Sequence, residues 1–207
     1  MSQVPWYVAR SAGLVAWSLL SASVIWGLLM STRARAFGHK PRPAWMLDLH
    51  RWLGGLATIF VGVHVLAILA DSYVRFDLVS VLIPFASHWR PSAIAWGVVG
   101  MYLLLAVELS SLARRRLPRR AWRAGPFASF PLFLTATAHA FTAGTDAGSL
   151  AFVAAASGVT LAVAGLTAKR ILEANTPSEP RAQVARPSSR PAASADTAER
   201  PRIASPV

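Results

Sequence analysis

Five apolar segments of roughly membrane-spanning length constrain the fold of this chain more than any other feature. A single α-helix needs about 20 mostly apolar residues to cross the hydrocarbon core of a bilayer. The segments cover residues 11–31, 45–70, 92–112, 125–143 and 148–168. Charged residues make up only 14% of the chain, whereas soluble domains carry about 25%. The sequence therefore predicts an all-α, polytopic bundle of five transmembrane helices in a lipid bilayer.

The basic residues predict how this bundle is oriented. Most of them lie between alternate apolar segments: Arg33, Arg35, Lys40 and Arg42; then Arg114, Arg115, Arg116, Arg119, Arg120 and Arg123; then Lys169 and Arg170. Cytoplasmic loops of membrane proteins carry such an excess of Lys and Arg. We therefore expect the amino terminus outside and the carboxyl terminus in the cytoplasm. The net charge of +12 is explained by these loops, so no nucleic-acid partner is expected.

Composition divides the chain into three parts. Residues 1–10 form a short outer segment, and residues 11–170 form the transmembrane domain. Residues 171–207 are rich in Pro, Ala, Ser and Arg, which predicts a disordered cytoplasmic tail. No GxGxxG unit is present, so no flavin or nicotinamide site is evident and that chemistry would belong to a partner chain. The chain has no cysteine, which excludes disulfides, thiolate-bound zinc and iron–sulfur clusters.

Two histidines lie deep inside predicted spans. His64 lies 19 residues beyond Trp45, and His139 lies 17 residues beyond Trp122, so the two differ in depth by only ~3 Å. Two imidazoles at one depth on separate helices favour axial ligation of a haem b iron, with His64 and His139 as the metal ligands. A zinc site would require more donors. The alternative is that both are neutral histidines hydrogen-bonded to neighbouring helices.

His50 is a third candidate cofactor-binding residue. It precedes His64 by 14 residues, which places it within ~40° of the same helix face and ~21 Å away along the axis. Such a spacing suits two cofactors stacked across a bilayer.

Three stretches carry a resemblance to a known family. They are LHRWLGGLATIFVGVHVLAIL (49–69), RRRLPRRAWRA (114–124) and HAFTAGTD (139–146). Together they resemble the ferric-reductase-like transmembrane family, which includes the haem subunit of the bacterial methionine sulfoxide reductase system and the NADPH oxidase and ferric reductase cores. The resemblance extends over about residues 9–170.

This resemblance implies one haem b held by His64 and His139 near the outer face. Larger members of the family carry a second histidine 13 residues before the one that matches His139, and here that position is Pro126. The inner pair is therefore broken and a second haem is doubtful. His50 has three alternatives: it binds a haem with a weak or water second ligand, it meets a haem propionate or a quinone, or it faces the lipid headgroups.

The leading functional hypothesis is a membrane electron-transfer component that lacks its own FAD/NAD(P) domain. Electrons would come from a quinol or from the flavin of a partner reductase chain, so the protein would be an oxidoreductase component rather than a self-contained enzyme. The expected location is the cell membrane, multi-pass, most simply a bacterial plasma membrane. Two alternatives remain: a cytochrome b subunit of a quinone-linked dehydrogenase, and a non-redox membrane scaffold.

Overall fold

The structure is a computed structural model and describes residues 3–36, 44–72, 74–113, 116 and 119–175. This part of the chain contains six α-helices and no strand, which confirms the predicted all-α class. They are α1 (Val4–Ala36), α2 (Ala44–Ala70), α3 (Leu78–Leu82), α4 (Pro91–Leu112), α5 (Arg119–Ala143) and α6 (Leu150–Asn175). The predicted tail lies outside the described residues from position 176 onward, and so do residues 37–43, 114, 115, 117 and 118 of the predicted basic loops.

Within the described residues, four helical segments are long and apolar enough to cross a membrane: Val4–Thr32 of α1, Ala44–Ala70, Pro91–Leu112, and Leu150–Glu173 of α6. The fourth predicted span (125–143) lies within α5, a helix of 25 residues that is not among these four. A five-span topology and its orientation therefore stay predictions.

Local signals explain where several helices begin. Pro91 occupies the first turn of α4, where its fixed φ suits a helix and its missing N–H costs nothing. Arg90 precedes it in the left-handed region, with φ of 43°. The Asp77 side chain accepts a hydrogen bond from the backbone N–H of Ser80 and so caps the short helix α3.

The helices pack as two close pairs. α1 lies against α2 and α4 lies against α5, while α6 and α5 also contact α1. One cluster at the centre takes a buried residue from each of four helices: Leu20, Ala57, Leu104 and Leu132. α2 touches α4 only slightly, and α2 and α5 are not among the closely packed pairs of the described chain. A space therefore remains between α2 and α5 on one side of the central cluster.

Candidate functional site

The structure brings His64 and His139 together across this space. His64 projects from α2 and His139 from α5, and their ring centroids lie 6.3 Å apart with the planes at 81°. Two metal–nitrogen bonds of about 2.0 Å, together with the half-widths of two imidazole rings, require a centroid separation of about 6 Å. The separation therefore suits one metal atom placed between the rings.

Backbone carbonyls fix the orientation of both rings. The Nδ1 atom of His64 lies 2.7 Å from the carbonyl oxygen of Ala9, and the Nδ1 atom of His139 lies 2.8 Å from that of Ala93. A carbonyl oxygen only accepts hydrogen bonds, so each Nδ1 carries the hydrogen and donates it. The Nε2 atom of each ring therefore keeps its lone pair, which is the form in which a neutral imidazole binds a metal.

A glycine lies beneath each of these rings. Gly13 follows Ala9 by four residues, and a Cβ atom there would lie 3.0 Å from Nδ1 of His64. Gly97 follows Ala93 by four residues, and a Cβ atom there would lie 2.7 Å from Cε1 of His139. Only glycine lets the rings approach α1 and α4 closely enough to reach the carbonyl oxygens. Each histidine is thus held by a carbonyl and a glycine one helical turn apart.

A cavity of about 430 Å³ surrounds the two histidines. Its walls are mainly apolar and come from α1, α2, α4, α5, the first turn of α6 and the segments that join α2 to α4 and α5 to α6. Residues of the central cluster, including Ala57, Leu104 and Leu132, line it on the side toward the middle of the bundle. Its other end opens among polar residues that include Arg10, Asp71 and Asp146.

An ion pair lies at this open end. Arg10 of α1 donates from Nε to Oδ2 of Asp146 at 2.7 Å and also contacts Oδ1 of the same carboxylate. Asp146 belongs to the connection between α5 and α6, and the hydrogen bonds from Arg10 hold the pKa of its carboxyl below the usual value. Arg10 also stacks on Trp6 at 5.3 Å. The pair therefore joins the start of α1 to the α5–α6 connection.

His50 occupies a different place, and it is not among the residues that line the cavity. Its Nδ1 atom lies 3.2 Å from Oγ of Ser23, and a Cβ atom at Gly27 would lie 3.3 Å from its Cε1. Ser23 and Gly27 are again four residues apart, so His50 is held much as His64 is, with a side-chain hydroxyl in place of the carbonyl. The position from which the family would supply a second imidazole, Pro126, lies in α5.

Several other charged and polar side chains of the bundle have ordinary partners. Arg51 pairs with Asp48 on its own helix at 3.5 Å, and Arg90 donates to the carbonyl oxygen of Thr142 at 3.0 Å. Thr137 accepts a hydrogen bond from Nε1 of Trp17, and Thr135 donates to the carbonyl oxygen of Pro131. None of these hydrogen bonds involves a histidine nitrogen.

Sequence reasoning missed the glycines and carbonyls that hold the rings. One signal for them exists, because Gly13 and Gly27 are 14 residues apart on α1, just as His50 and His64 are on α2. In an antiparallel pair of helices, this equal spacing brings each glycine opposite one histidine. The described part of the chain holds no group of three or more His, Asp or Glu residues that would bind a metal ion unaided.

Comparison with known proteins adds one positive finding. No curated protein matches the chain, and no solved structure matches it either. The family model described as "Ferric reductase like transmembrane component" matches residues 12–137, a range that contains His64 and ends two residues before His139. Because this match covers more than half of the chain, the protein belongs to the ferric reductase like transmembrane component family.

Proposed function

We propose that the protein is a membrane electron-transfer component that holds one b-type haem between His64 and His139. The observation that carries this proposal is the 6.3 Å separation of the two rings, each with its Nδ1 hydrogen bonded to a backbone carbonyl. Fixed Nδ1–H donors leave both Nε2 atoms available as ligands. Both histidines also line the same apolar cavity, which two histidines that only pack between helices would have no need to do.

The donor set favours a porphyrin over a bare metal ion. A porphyrin brings four nitrogen ligands of its own, so two protein imidazoles complete an octahedral iron site. Zinc would take four protein ligands in a structural site or three in a catalytic site. When bound, haem supplies a one-electron iron couple, and two histidine ligands favour electron transfer over oxygen binding.

The chain's own residues would do three things for the cofactor. His64 and His139 bind it, and Ala9, Ala93, Gly13 and Gly97 orient those two rings. The apolar walls of the cavity exclude water, which affects the reduction potential of a buried haem. The space between α2 and α5 gives a flat molecule room to enter edge-on.

The electron path follows from the predicted orientation. We infer that electrons enter from the cytoplasmic side or from the membrane, from a quinol or from the flavin of a partner reductase. They leave at the end that holds His64 and His139, toward an outer acceptor. A haem held by two histidines near one end of a bundle is suited to this role, because it accepts and gives single electrons without binding substrate at the iron.

We propose a single haem per chain. His50 has no imidazole partner at position 126, and its own ring lies against α1 through Ser23 and Gly27. A haem at His50 would have one protein ligand and would bind more weakly than the haem at the histidine pair.

Optical spectroscopy of the purified protein, expressed with ample haem, tests the proposal. We expect a b-type spectrum after reduction with dithionite and a pyridine haemochrome yield of one haem per chain. His64→Ala and His139→Ala should each abolish this spectrum. His88→Ala is the matched control, because His88 is an exposed loop residue at the same end of the bundle, and it should retain the full haem content.

Three results would contradict the assignment. A colourless wild-type protein would exclude a haem site. A b-type spectrum that survives both ligand substitutions would place the haem elsewhere in the chain, and a yield of two haems that falls to one in His50→Ala would show a second site.

A further inference from the structure

The connection between α2 and α4 (residues 71–90, the α2–α4 connection) exposes a row of large apolar side chains. They are Leu78, Val79, Leu82, Ile83 and Phe85, which are 63%, 50%, 46%, 54% and 69% exposed in this structure. Soluble surfaces rarely carry so many contiguous large apolar side chains, and such patches mark interaction with membranes or other proteins. The short helix α3 is apolar on its inner face as well, where Val81 is buried.

One hydrogen bond gives the depth of this connection along the bundle. Oη of Tyr102 donates to the carbonyl oxygen of Leu82 at 2.7 Å. Tyr102 lies 11 residues into α4, or ~16 Å from its first residue, and the 22 residues of α4 extend ~33 Å, about the thickness of the hydrocarbon core. Even if the tyrosine side chain leans back toward the helix start by about 6 Å, Leu82 lies roughly 10 Å inside that end.

The backbone of the connection is suited to this depth. Non-helical backbone is tolerated within a membrane only where its polar groups have protein partners. Here the N–H of Ser80 donates to Asp77, that of Ile83 donates to the carbonyl of Val79, and that of Ala86 donates to the carbonyl of Ile83. The carbonyl of Leu82 is the one that Tyr102 satisfies from α4.

The inner face of the connection closes one side of the histidine cavity. Val74, Phe76 and Val81 line this cavity, between the outer halves of α2 and α4. α2 touches α4 only slightly, and toward the other ends of the two helices the side chain of Glu108 reaches across to lie over Gly54. Near the histidines, the connection supplies the cavity wall between these two helices.

We propose that the α2–α4 connection is a re-entrant segment in the lipid leaflet nearest the His64–His139 pair. Its outer face, formed by Leu78, Leu82 and Phe85, contacts lipid acyl chains, and its inner face forms the wall between the histidine cavity and the bilayer. The membrane is the partner that covers the exposed apolar row. This proposal concerns the fold within the membrane and holds whether or not the cavity carries a haem.

Spin labels on the full-length protein test this proposal. The chain has no cysteine, so Leu82→Cys and Phe85→Cys can each carry one nitroxide without further changes. The protein is reconstituted in phosphatidylcholine vesicles, and collisions of the label with oxygen and with a water-soluble nickel chelate are measured. Leu161→Cys on the exposed face of α6 gives the lipid reference, and Gly148→Cys in the α5–α6 connection gives the water reference at the same end.

We expect the ratio of oxygen to nickel collisions at both test sites to match the Leu161→Cys reference within about twofold. It should exceed the Gly148→Cys ratio by at least about fivefold, because the segment lies several ångströms below the headgroups. A ratio equal to that of Gly148→Cys would show a water-exposed loop and overturn the proposal. Few collisions with either reagent would show a protein surface, such as a second copy, and would overturn it equally.

A second variant tests the anchoring contact. Tyr102→Phe removes the hydroxyl that holds Leu82 and leaves the ring in place. We expect it to increase nickel collisions at the Leu82→Cys label and to leave those at the Leu161→Cys label unchanged. No change at Leu82→Cys would show that the tyrosine does not hold the connection at this depth, and would remove the argument on which the proposal rests.

Discussion

At the scale of single residues, the geometry of the candidate site depends on glycines as much as on histidines. The ring of His139 is confined by its hydrogen bond to Ala93 and by the backbone of α4 at Gly97. A side chain at position 97 would occupy the volume of the ring itself. The ring cannot simply move aside, because moving would break the hydrogen bond that orients its Nε2 atom.

Gly97→Ala should therefore weaken haem binding without removing a ligand. The added Cβ would lie 2.7 Å from Cε1 of His139, closer than real Cβ contacts, so the ring must move away from Ala93. Loss of such an orienting partner typically costs 10- to 100-fold in metal affinity. We expect the affinity of the variant for haem to fall by about the same factor. Titration of the haem-depleted variant with haem, followed by absorbance, measures it.

Gly62→Ala is the control for this prediction, because a Cβ atom at Gly62 on α2 would meet nothing within 4 Å. Its haem affinity should equal that of the wild-type protein, and alanine in place of glycine in a helix should add up to about 1 kcal/mol of stability. Equal affinities for the Gly97→Ala and Gly62→Ala variants would show that the close packing beneath His139 has no role in haem binding.

At the scale of helices and their connections, the Arg10–Asp146 pair joins two parts of the chain that are far apart in sequence. The pair lowers the pKa of Asp146 through its hydrogen bonds to Arg10. A carboxyl with a lowered pKa in the folded state contributes stability above its ordinary pKa, about 4, and loses that contribution as the pH falls through the folded value. Because both side chains are partly exposed, the contribution is small.

Asp146→Asn should therefore lower the thermal unfolding midpoint slightly at pH 6, and the deficit should be smaller at pH 2.5. The physical reason is that the wild-type carboxyl takes up a proton as the pH falls through its folded pKa, and a protonated carboxyl no longer pairs with Arg10 as an ion. Asp48→Asn is the matched control, because it removes an exposed pair within a single helix and should be neutral at both pH values. A deficit in Asp146→Asn that is equal at both pH values would show that the ion pair is not its source.

The sequence predicts the helices better than it predicts their ends. The second and third predicted spans agree with α2 and α4 within one residue, whereas α1 begins at Val4 rather than at position 11 and α5 begins at Arg119 rather than at position 125. Hydropathy measures the length of chain that crosses the bilayer, and a helix continues past that length wherever its backbone hydrogen bonds continue. Arg10 shows this difference, because it is charged and still belongs to α1.

The same limit applies to the site. The positions of His64 and His139 on two spans predict that they lie at equal depth. In the structure their ring centroids are 6.3 Å apart. The roles of the Ala9 and Ala93 carbonyls could not be predicted, because every residue has a backbone carbonyl and the residue type does not show which one accepts a hydrogen bond. Gly13 and Gly97 were ambiguous, because glycines in membrane helices usually serve helix–helix packing.

At the scale of the whole molecule, the bundle is two helix pairs with an internal space. α1 packs on α2 and α4 packs on α5, but α2 and α5, which carry the two histidines, face each other across the cavity. The inner halves are joined by the central cluster of Leu20, Ala57, Leu104 and Leu132. A haem bound by one histidine from each pair would join the halves around the cavity, where direct helix contacts are few.

Removal of haem should therefore destabilise the folded bundle. A ligand that binds only the folded state adds about 2.7 kcal/mol at a free concentration 100 times its Kd, which for a chain of this size corresponds to roughly 5–10 °C in the unfolding midpoint. We expect protein prepared under haem limitation to unfold at a lower temperature in detergent and to recover that difference when haem is added. The His64→Ala/His139→Ala double variant is the control, because it should unfold at the same temperature with and without haem. If the wild-type midpoint did not respond to haem while the spectrum showed full occupancy, the cofactor would bind folded and unfolded chains alike, and the two histidines would not join the helix pairs.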